Sequence, residues 1–295
     1  MMSTVTAQAP SAPMQLVCSE VWGGNRPVHS PVALPGLSGV LFSHPCDGGR
    51  GGDVHYLSVC GSGVLSRVCL ADVAGHGQTV AAIGSVMHAH LRRCMNQVDQ
   101  RRVLGKLNRR LEALGLHAMT TAAAITYYPP KRSLSVSYAG HPPGWYFSRA
   151  EDTWGRLSLE ARSSEAQFRD MPLAIEPSAE FSQRKIRTEI GDRLLLVTDG
   201  VLEAPGKNGQ LFGDEGVDHV LQTMQSANCE KIADSLLTAL QLHCGDVALT
   251  HDDVSFVVVE FVPGPSEPAM WLAVKNRITR PRGNAPGPAF DSTKG

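Results

Sequence analysis

Hydrophobic positions along this chain follow two periods, and the switches between them set the expected order of elements. Short apolar or alternating runs, bounded by glycine, proline and polar clusters, predict strands. They cover Gly39 to Ser43, His55 to Cys60, Val64 through Leu70 to Asp72, Thr120 to Tyr128, Leu134 to Tyr138 and Gly144 to Ser148. Phe181 to Ile186, Arg193 to Thr198 and Phe256 to Val262 continue the series. After Gln78 the spacing changes to three and four. Val80, Ile83, Met87, Leu91, Cys94 and Val98 mark one face of a helix running to about Gln97. Asp99 caps a second helix, with Val103, Leu107, Leu111 and Leu114 on its inner face and Gly115 as its stop. A further helical pair is expected over about Asp214 to Met224 and Cys229 to His243. Leu16 to Pro35 reads as extended chain, and Glu151 to Asp170 as a loop or insertion. The order is that of an α+β protein: largely antiparallel sheets of hairpin-connected strands, covered by paired helices.

Composition narrows the class of protein. The 295 residues are 42% hydrophobic and 19% charged, with a formal net charge of −1. That describes an ordinary globular protein and gives no footprint for nucleic acid. The longest apolar runs are far too short for a bilayer, and the first residues lack the basic and apolar segments of a secretory signal, so no membrane partner is expected. Seven cysteines without a Cys-x-x-Cys pair predict reduced thiols in a cytoplasmic protein. Residues 1 to about 16 and the Pro/Gly/Arg-rich stretch beyond Pro263 are expected to be largely disordered, with Met270 to Val274 as a docking segment. Arg92, Arg93, Arg101, Arg102, Lys106, Arg109 and Arg110 fall mostly off the apolar helix faces. A solvated surface is expected there in preference to a groove for a phosphoprotein or nucleic acid.

The chemistry lies at the ends of strands. Asp72 follows an apolar run and opens the small-residue turn Ala71-Asp-Val-Ala-Gly-His-Gly77. Asp199 repeats the arrangement in Thr198-Asp-Gly200, Asp252 and Asp253 open the last strand, and Asp53 follows the glycine-rich Cys46-Asp-Gly-Gly-Arg-Gly-Gly-Asp53. That loop lacks the Gly-Lys-Ser/Thr of a nucleotide P-loop. Singly, an Asp before Gly is usually a turn former. Repeated at strand ends, such acids suit a hydrolase whose carboxylates hold two divalent cations roughly 3.5–4 Å apart. The oxygen-rich donor set favours Mg2+ or Mn2+ over zinc.

In their order, Gly51-Gly-Asp53, Ala71 to Gly77, Ala139-Gly-His-Pro-Pro143, Gly191 to Glu203, Leu211-Phe-Gly213 and Asp252-Asp-Val-Ser255 resemble the metal-dependent protein phosphatase superfamily. The likeness is to its bacterial SpoIIE/RsbU-type serine phosphatases, of protein phosphatase 2C type, and covers roughly residues 38 to 262. It implies a β-sandwich of two antiparallel sheets with helices on both outer faces. It divides the chain into an N-terminal extension (1–37), the phosphatase domain (38–262) and a C-terminal tail (263–295). It also implies a site for two Mn2+ or Mg2+ ions. Asp72 would bridge, Val73 would lend its carbonyl, Asp199 and Asp252 would ligate directly, and Asp53 would bind through water. Asp253 is the second choice beside Asp252. Tyr56 stands where the family often has an acid, and Ala174 where it usually has Gly.

His76 is a candidate general acid, weighed against a structural turn histidine, and for His141 the structural reading is the stronger. The resemblance implies hydrolysis of phosphoserine or phosphothreonine on a partner protein, such as an anti-sigma-factor antagonist, by metal-activated hydroxide. Signal transduction in a stress response would be its setting. The 37 or so residues ahead of the resemblance are too few for a sensor domain, so regulation is expected from a separate activator protein or from helix movement. The rival readings are a non-catalytic phosphoprotein-binding scaffold and a small-molecule phosphatase using the same metals.

Overall fold

The computed structural model describes residues 14–16, 20–75, 78–159 and 168–266. Its strands are β1 (Met14–Gln15), β2 (Glu20–Gly24), β3 (Val28–Leu34), β4 (Leu37–His44), β5 (Asp53–Val59), β6 (Ser66–Val73), β7 (Thr120–Tyr128), β8 (Ser133–Ala139), β9 (Gly144–Ser148), β10 (Thr153–Leu157), β11 (Arg184–Arg187), β12 (Arg193–Val197) and β13 (Val254–Phe261). The helices are α1 (Gln78–Arg93), α2 (Gln100–Glu112), α3 (Asp199–Leu202), α4 (Gly213–Thr223) and α5 (Cys229–Cys244).

Two sheets face each other. One has the order β1-β3-β4-β13-β12-β9-β10 and the other β11-β8-β7-β6-β5-β2. Their pairs are antiparallel except for β1 with β3. Period-two alternation sorts the side chains into three layers. Leu41, Leu57, Leu70, Ile125, Leu194 and Val257 meet between the sheets. Val54, Ala71 and Ala124 point outward from the second sheet, under Ile83 and Met87 of α1 and Leu107 of α2. Trp145, Leu195 and Phe256 point outward from the first sheet, under Val217 of α4 and Ile232 and Leu236 of α5. The expected sandwich with helices on both outer faces is the observed architecture.

Local chemistry sets the ends of these elements. Asp99 accepts the backbone N–H of Arg101 at 3.1 Å and starts α2. Asn228 accepts the N–H of Lys231 at 2.9 Å and starts α5. Gly245, at φ +65°, closes α5 in the left-handed region. Trp145 Nε1 donates to Asp218 Oδ1 at 2.6 Å, tying α4 to β9.

Several expectations change. Met14 to Leu16, expected to be disordered, begin a strand whose two residues pair with Val32 and Ala33, and Leu16 is buried. β2 and β3, ahead of residue 38, belong to the two sheets. The loop expected after Glu151 contains β10, an edge strand paired with β9. Val98 and Leu114, placed on helix faces by spacing, are exposed because both helices end before reaching them. Residues 1–13 and 267–295, including Met270 to Val274, lie outside the described residues. Cys46, Cys60, Cys69, Cys94, Cys229 and Cys244 are free thiols. No described helix is long and apolar enough to cross a membrane.

Candidate metal centre

The glycine-rich loop and the ends of both sheets build one acidic pocket. Asp53 at the start of β5 lies directly opposite Asp72 near the end of β6. Leu57 and Leu70, in phase with them, face the sandwich core, so both carboxylates project from the inner face of their sheet. Across the sandwich, Thr198 follows β12 directly as the N-cap of α3, and Ser255 lies in β13. Thr198 Oγ1 donates to Asp53 Oδ2 at 2.8 Å and accepts the N–H of Ser255 at 3.1 Å. The two sheets are thereby joined through a buried carboxyl.

Asp199 begins α3, and one of its carboxylate oxygens accepts the N–H of Gly200 at 3.0 Å. A β-carbon at Gly200 would lie 1.9 Å from Asp253 O and 3.5 Å from Asp252 Cβ. Only glycine lets the Asp199 turn pass this close to the Asp252–Asp253 backbone. At Gly52 an added β-carbon would lie 2.7 Å from Val73 O and 3.2 Å from Asp72 Oδ1. These two oxygens therefore open over a glycine rather than against a side chain.

Asp253 has a different environment from Asp252. Its Oδ1 accepts the N–H of Cys46 at 2.8 Å, and its Oδ2 accepts those of Gly52 and of Asp53, the latter at 3.4 Å. It folds the glycine-rich loop against the first residues of β13. Asp252 Oδ1 accepts the N–H of Asp253 at 2.7 Å.

Electrostatics bind the acids into one group. Asp72 is pushed up to about 7, first by burial and then by the charges of Asp199, Asp252, Asp253 and Glu203. Burial is also the main reason that Asp199 is raised, followed by Asp252 and Glu203. Asp53 is held well above the ordinary carboxylate range by burial. Hydrogen bonds from Ser255 and Thr198 oppose the rise, and Asp72 and Asp253 add to it. Such a set of oxygens at unfavourable like-charge spacing gains most from a divalent cation. Among the described residues no three His, Cys, Asp or Glu side chains are drawn together around one point. The donor chemistry and the glycine cradle nevertheless fit a hard cation.

Asp53, Asp72, Val73, Asp199, Asp252 and Asp253 are thus brought to one end of the sandwich, with Glu203 as an acid that strand-end reasoning did not select. His76 lies outside the described residues. His141 is buried, donates Nδ1–H to Pro142 O at 2.9 Å, and is lowered to about 4 by burial. Tyr56 turns away from the pocket, in phase with Val54, and donates its hydroxyl to Gly84 O of α1.

The fold is that of a protein phosphatase 2C-like domain. Residues 65–262 match the family model described as Stage II sporulation protein E (SpoIIE), and the chain belongs to that family. It is 27% identical over 195 residues to "Phosphoserine phosphatase RsbU" of Bacillus subtilis (strain 168), covering 65% of this chain and 55% of that protein. It is 25% identical over 199 residues to "Phosphoserine phosphatase RsbP" of the same organism, covering 65% of this chain and 45% of that protein. The chain thus spans about half the length of the curated relatives it matches. Among solved structures, the phosphatase domain of SpoIIE from Bacillus subtilis shares the fold at a TM-score of 0.61 with 17% identity, covering 77% of this chain and 62% of that one. A Mycobacterium tuberculosis structure with RsbU and RsbW domains gives a TM-score of 0.62 with 22% identity, covering 81% of this chain and 64% of that one. RsbX in complex with magnesium gives 0.59 with 12% identity, covering 79% of this chain and 99% of that one.

Proposed function

We propose that this chain is a metal-dependent serine/threonine phosphatase acting on a phosphorylated regulatory protein. The observation that carries the reading is the Asp53–Asp72 pair at the rim of one sheet, with Asp72 raised by the charges of Asp199 and Asp252, which follow β12 and precede β13 of the other sheet. Asp72, Asp199 and Asp252 are the proposed direct ligands of two Mg2+ or Mn2+ ions, with the Val73 carbonyl beside them. Asp53 acts through water, since its Oδ2 already accepts from Thr198. Asp253 serves as the brace of the glycine-rich loop. The bound ions would polarise water and stabilise charge on the phosphoryl oxygens.

The chain's own groups would then hold the pocket in register. Asp72 gathers oxygens from one sheet, while Asp199 and Asp252 supply them from the other. The turn at Gly52 leaves the Asp72 carboxylate and the Val73 carbonyl uncovered by a side chain, and Gly200 lets the Asp199 turn approach the Asp252–Asp253 backbone. A regulatory phosphoprotein is the proposed substrate because the chain matches two proteins named phosphoserine phosphatase. A separate activator protein and a cytoplasmic setting belong to the same proposal.

The test is phosphate release from a phosphoserine peptide by the full chain in Mn2+, in Mg2+ and in EDTA. Release that needs the ion and is lost in Asp199→Asn supports the reading. Release that persists in EDTA contradicts it.

A further inference from the structure

The net charge of −1 conceals two helix layers of opposite sign. From residue 78 to 112, across α1 and α2, Asp99 and Glu112 are the two acids against seven Lys and Arg residues. From 213 to 244, across α4 and α5, Asp214, Glu215, Asp218, Glu230 and Asp234 face one cation, Lys231. The layers cover opposite outer faces of the sandwich. Asp99 is held by Arg101 at 2.8 Å and lies 3.8 Å from Arg102. Lys106, Arg109 and Arg110 are exposed and make no ion pair among the described residues. Arg102, Lys106, Arg109 and Arg110 recur at helical spacing, a basic stripe about 12 Å long.

The stripe leads towards the metal centre. Past the end of α2 the chain exposes Leu114 at 37%, Leu116 at 74% and Met119 at 39%. Met119 O accepts the N–H of Ala74 at 2.9 Å, and Ala74 is two residues beyond Asp72. The pocket itself is lined by carboxylates, which repel an anionic phosphoprotein until cations offset them. A partner must therefore be held by attraction outside the pocket. Cations followed by exposed leucine and methionine match a protein surface that is acidic and partly apolar. Nucleic acid would leave those apolar side chains without a partner.

We propose that the exposed face of α2 and the following segment, from Arg102 to Met119, docks an acidic, leucine-containing segment of the phosphoprotein substrate. This rests on the phosphatase reading for the identity of the partner, but the docking can be read without turnover. The probes are fluorescent phosphoserine peptides carrying either a Glu/Leu-rich segment or its Gln/Leu counterpart. Binding to the full chain is followed by anisotropy, and p-nitrophenyl phosphate hydrolysis is measured in parallel.

The wild type should bind the Glu/Leu peptide about tenfold more tightly than the Gln/Leu peptide, and the preference should shrink with salt. The variant Lys106→Glu/Arg109→Glu/Arg110→Glu should lose the preference, and Lys106→Gln/Arg109→Gln/Arg110→Gln should weaken it. Circular dichroism should show both variants folded, and p-nitrophenyl phosphate turnover should be unchanged. Equal binding of the two peptides would overturn the proposal, as would a preference that survives charge reversal. Binding of a single-stranded oligonucleotide in place of the acidic peptide would overturn it in favour of a nucleic-acid surface. Charge-dependent peptide binding by a folded chain that binds no Mn2+ would keep the docking surface and remove the phosphatase reading.

Discussion

Thr198 Oγ1 donates to Asp53 Oδ2 at 2.8 Å, linking the end of β12 in one sheet to the start of β5 in the other. The hydroxyl also accepts the N–H of Ser255, so one side chain fixes three strands around a buried carboxyl. Thr198→Val keeps the volume and removes both bonds. Leaving the Asp53 oxygen and the Ser255 N–H unpaired should cost about 1–3 kcal/mol. Urea unfolding in EDTA should show that loss, and calorimetry should show weaker Mn2+ binding. Unchanged stability and affinity would show that Asp53 is positioned by other contacts.

Asp252 and Asp253, adjacent in sequence, should respond differently. Asp252→Asn should lower Mn2+ affinity at least about tenfold with little change in stability, because it removes a proposed ligand. Asp253→Asn should cost about 1–3 kcal/mol, because one of its acceptor oxygens is lost from the bonds to Cys46, Gly52 and Asp53. Hydrogen exchange should then rise in residues 46–53. The opposite pattern would exchange the two roles.

Ala174 has φ +67° and is buried, with its N–H donating to Asn108 Oδ1 at 2.9 Å. Its neighbour Leu173 bonds to Thr120, which pairs with Val73, so the turn supports the strand end beside the pocket. A left-handed alanine is strained by roughly 1–2 kcal/mol, while glycine loses more entropy on folding. Ala174→Gly should therefore stabilise the chain by about 0.5–1 kcal/mol in urea unfolding. A lower midpoint at an unchanged slope would contradict this.

Burial, and then the neighbouring carboxylates, push Asp72 up to about 7 from the ordinary 3.8. Between those values the folded chain binds more protons than the unfolded one, so this group's contribution to stability falls as pH rises. His55 and His141 act in the opposite direction. Burial lowers each to about 4 from 6.5, so their contribution is lost as pH falls through that window. Comparison with Asp72→Asn isolates the carboxyl. In EDTA, the variant's stability advantage should grow by up to about 4 kcal/mol between about pH 4 and pH 8, and Mn2+ should reverse it for the wild type. An advantage independent of pH would contradict the shifted carboxyl.

Much of this arrangement was legible in the sequence where local signals agreed. β7 and β9 occupy the expected ranges because proline and glycine bound them. The helix pairs showed in three- and four-residue spacing, although Val98 and Leu114 continued that spacing into turns. β10 escaped notice because Thr153–Leu157 is an edge strand with only its last residue fully buried. α3 is one turn of helix, too short to show a period. The acids were legible because Asp72 and Asp199 close apolar runs, while Asp53 and the Asp252–Asp253 pair open them. Thr198 was not singled out, because its partner Asp53 is 145 positions away and neither spacing nor composition records a contact across two sheets. The bracing role of Asp253 was hidden for the same reason, since its backbone partners lie about 200 residues earlier.

The most direct measurement is a calorimetric titration of the metal-free full chain with Mn2+, run beside the same titration of Asp72→Asn. Asp72 lies between the acids of both sheets and is the proposed bridge. The wild type should bind two ions, and the variant should lose at least one of them while remaining folded by circular dichroism. Absence of binding by folded wild type, or equal binding by the variant, would contradict a metal centre built on Asp72.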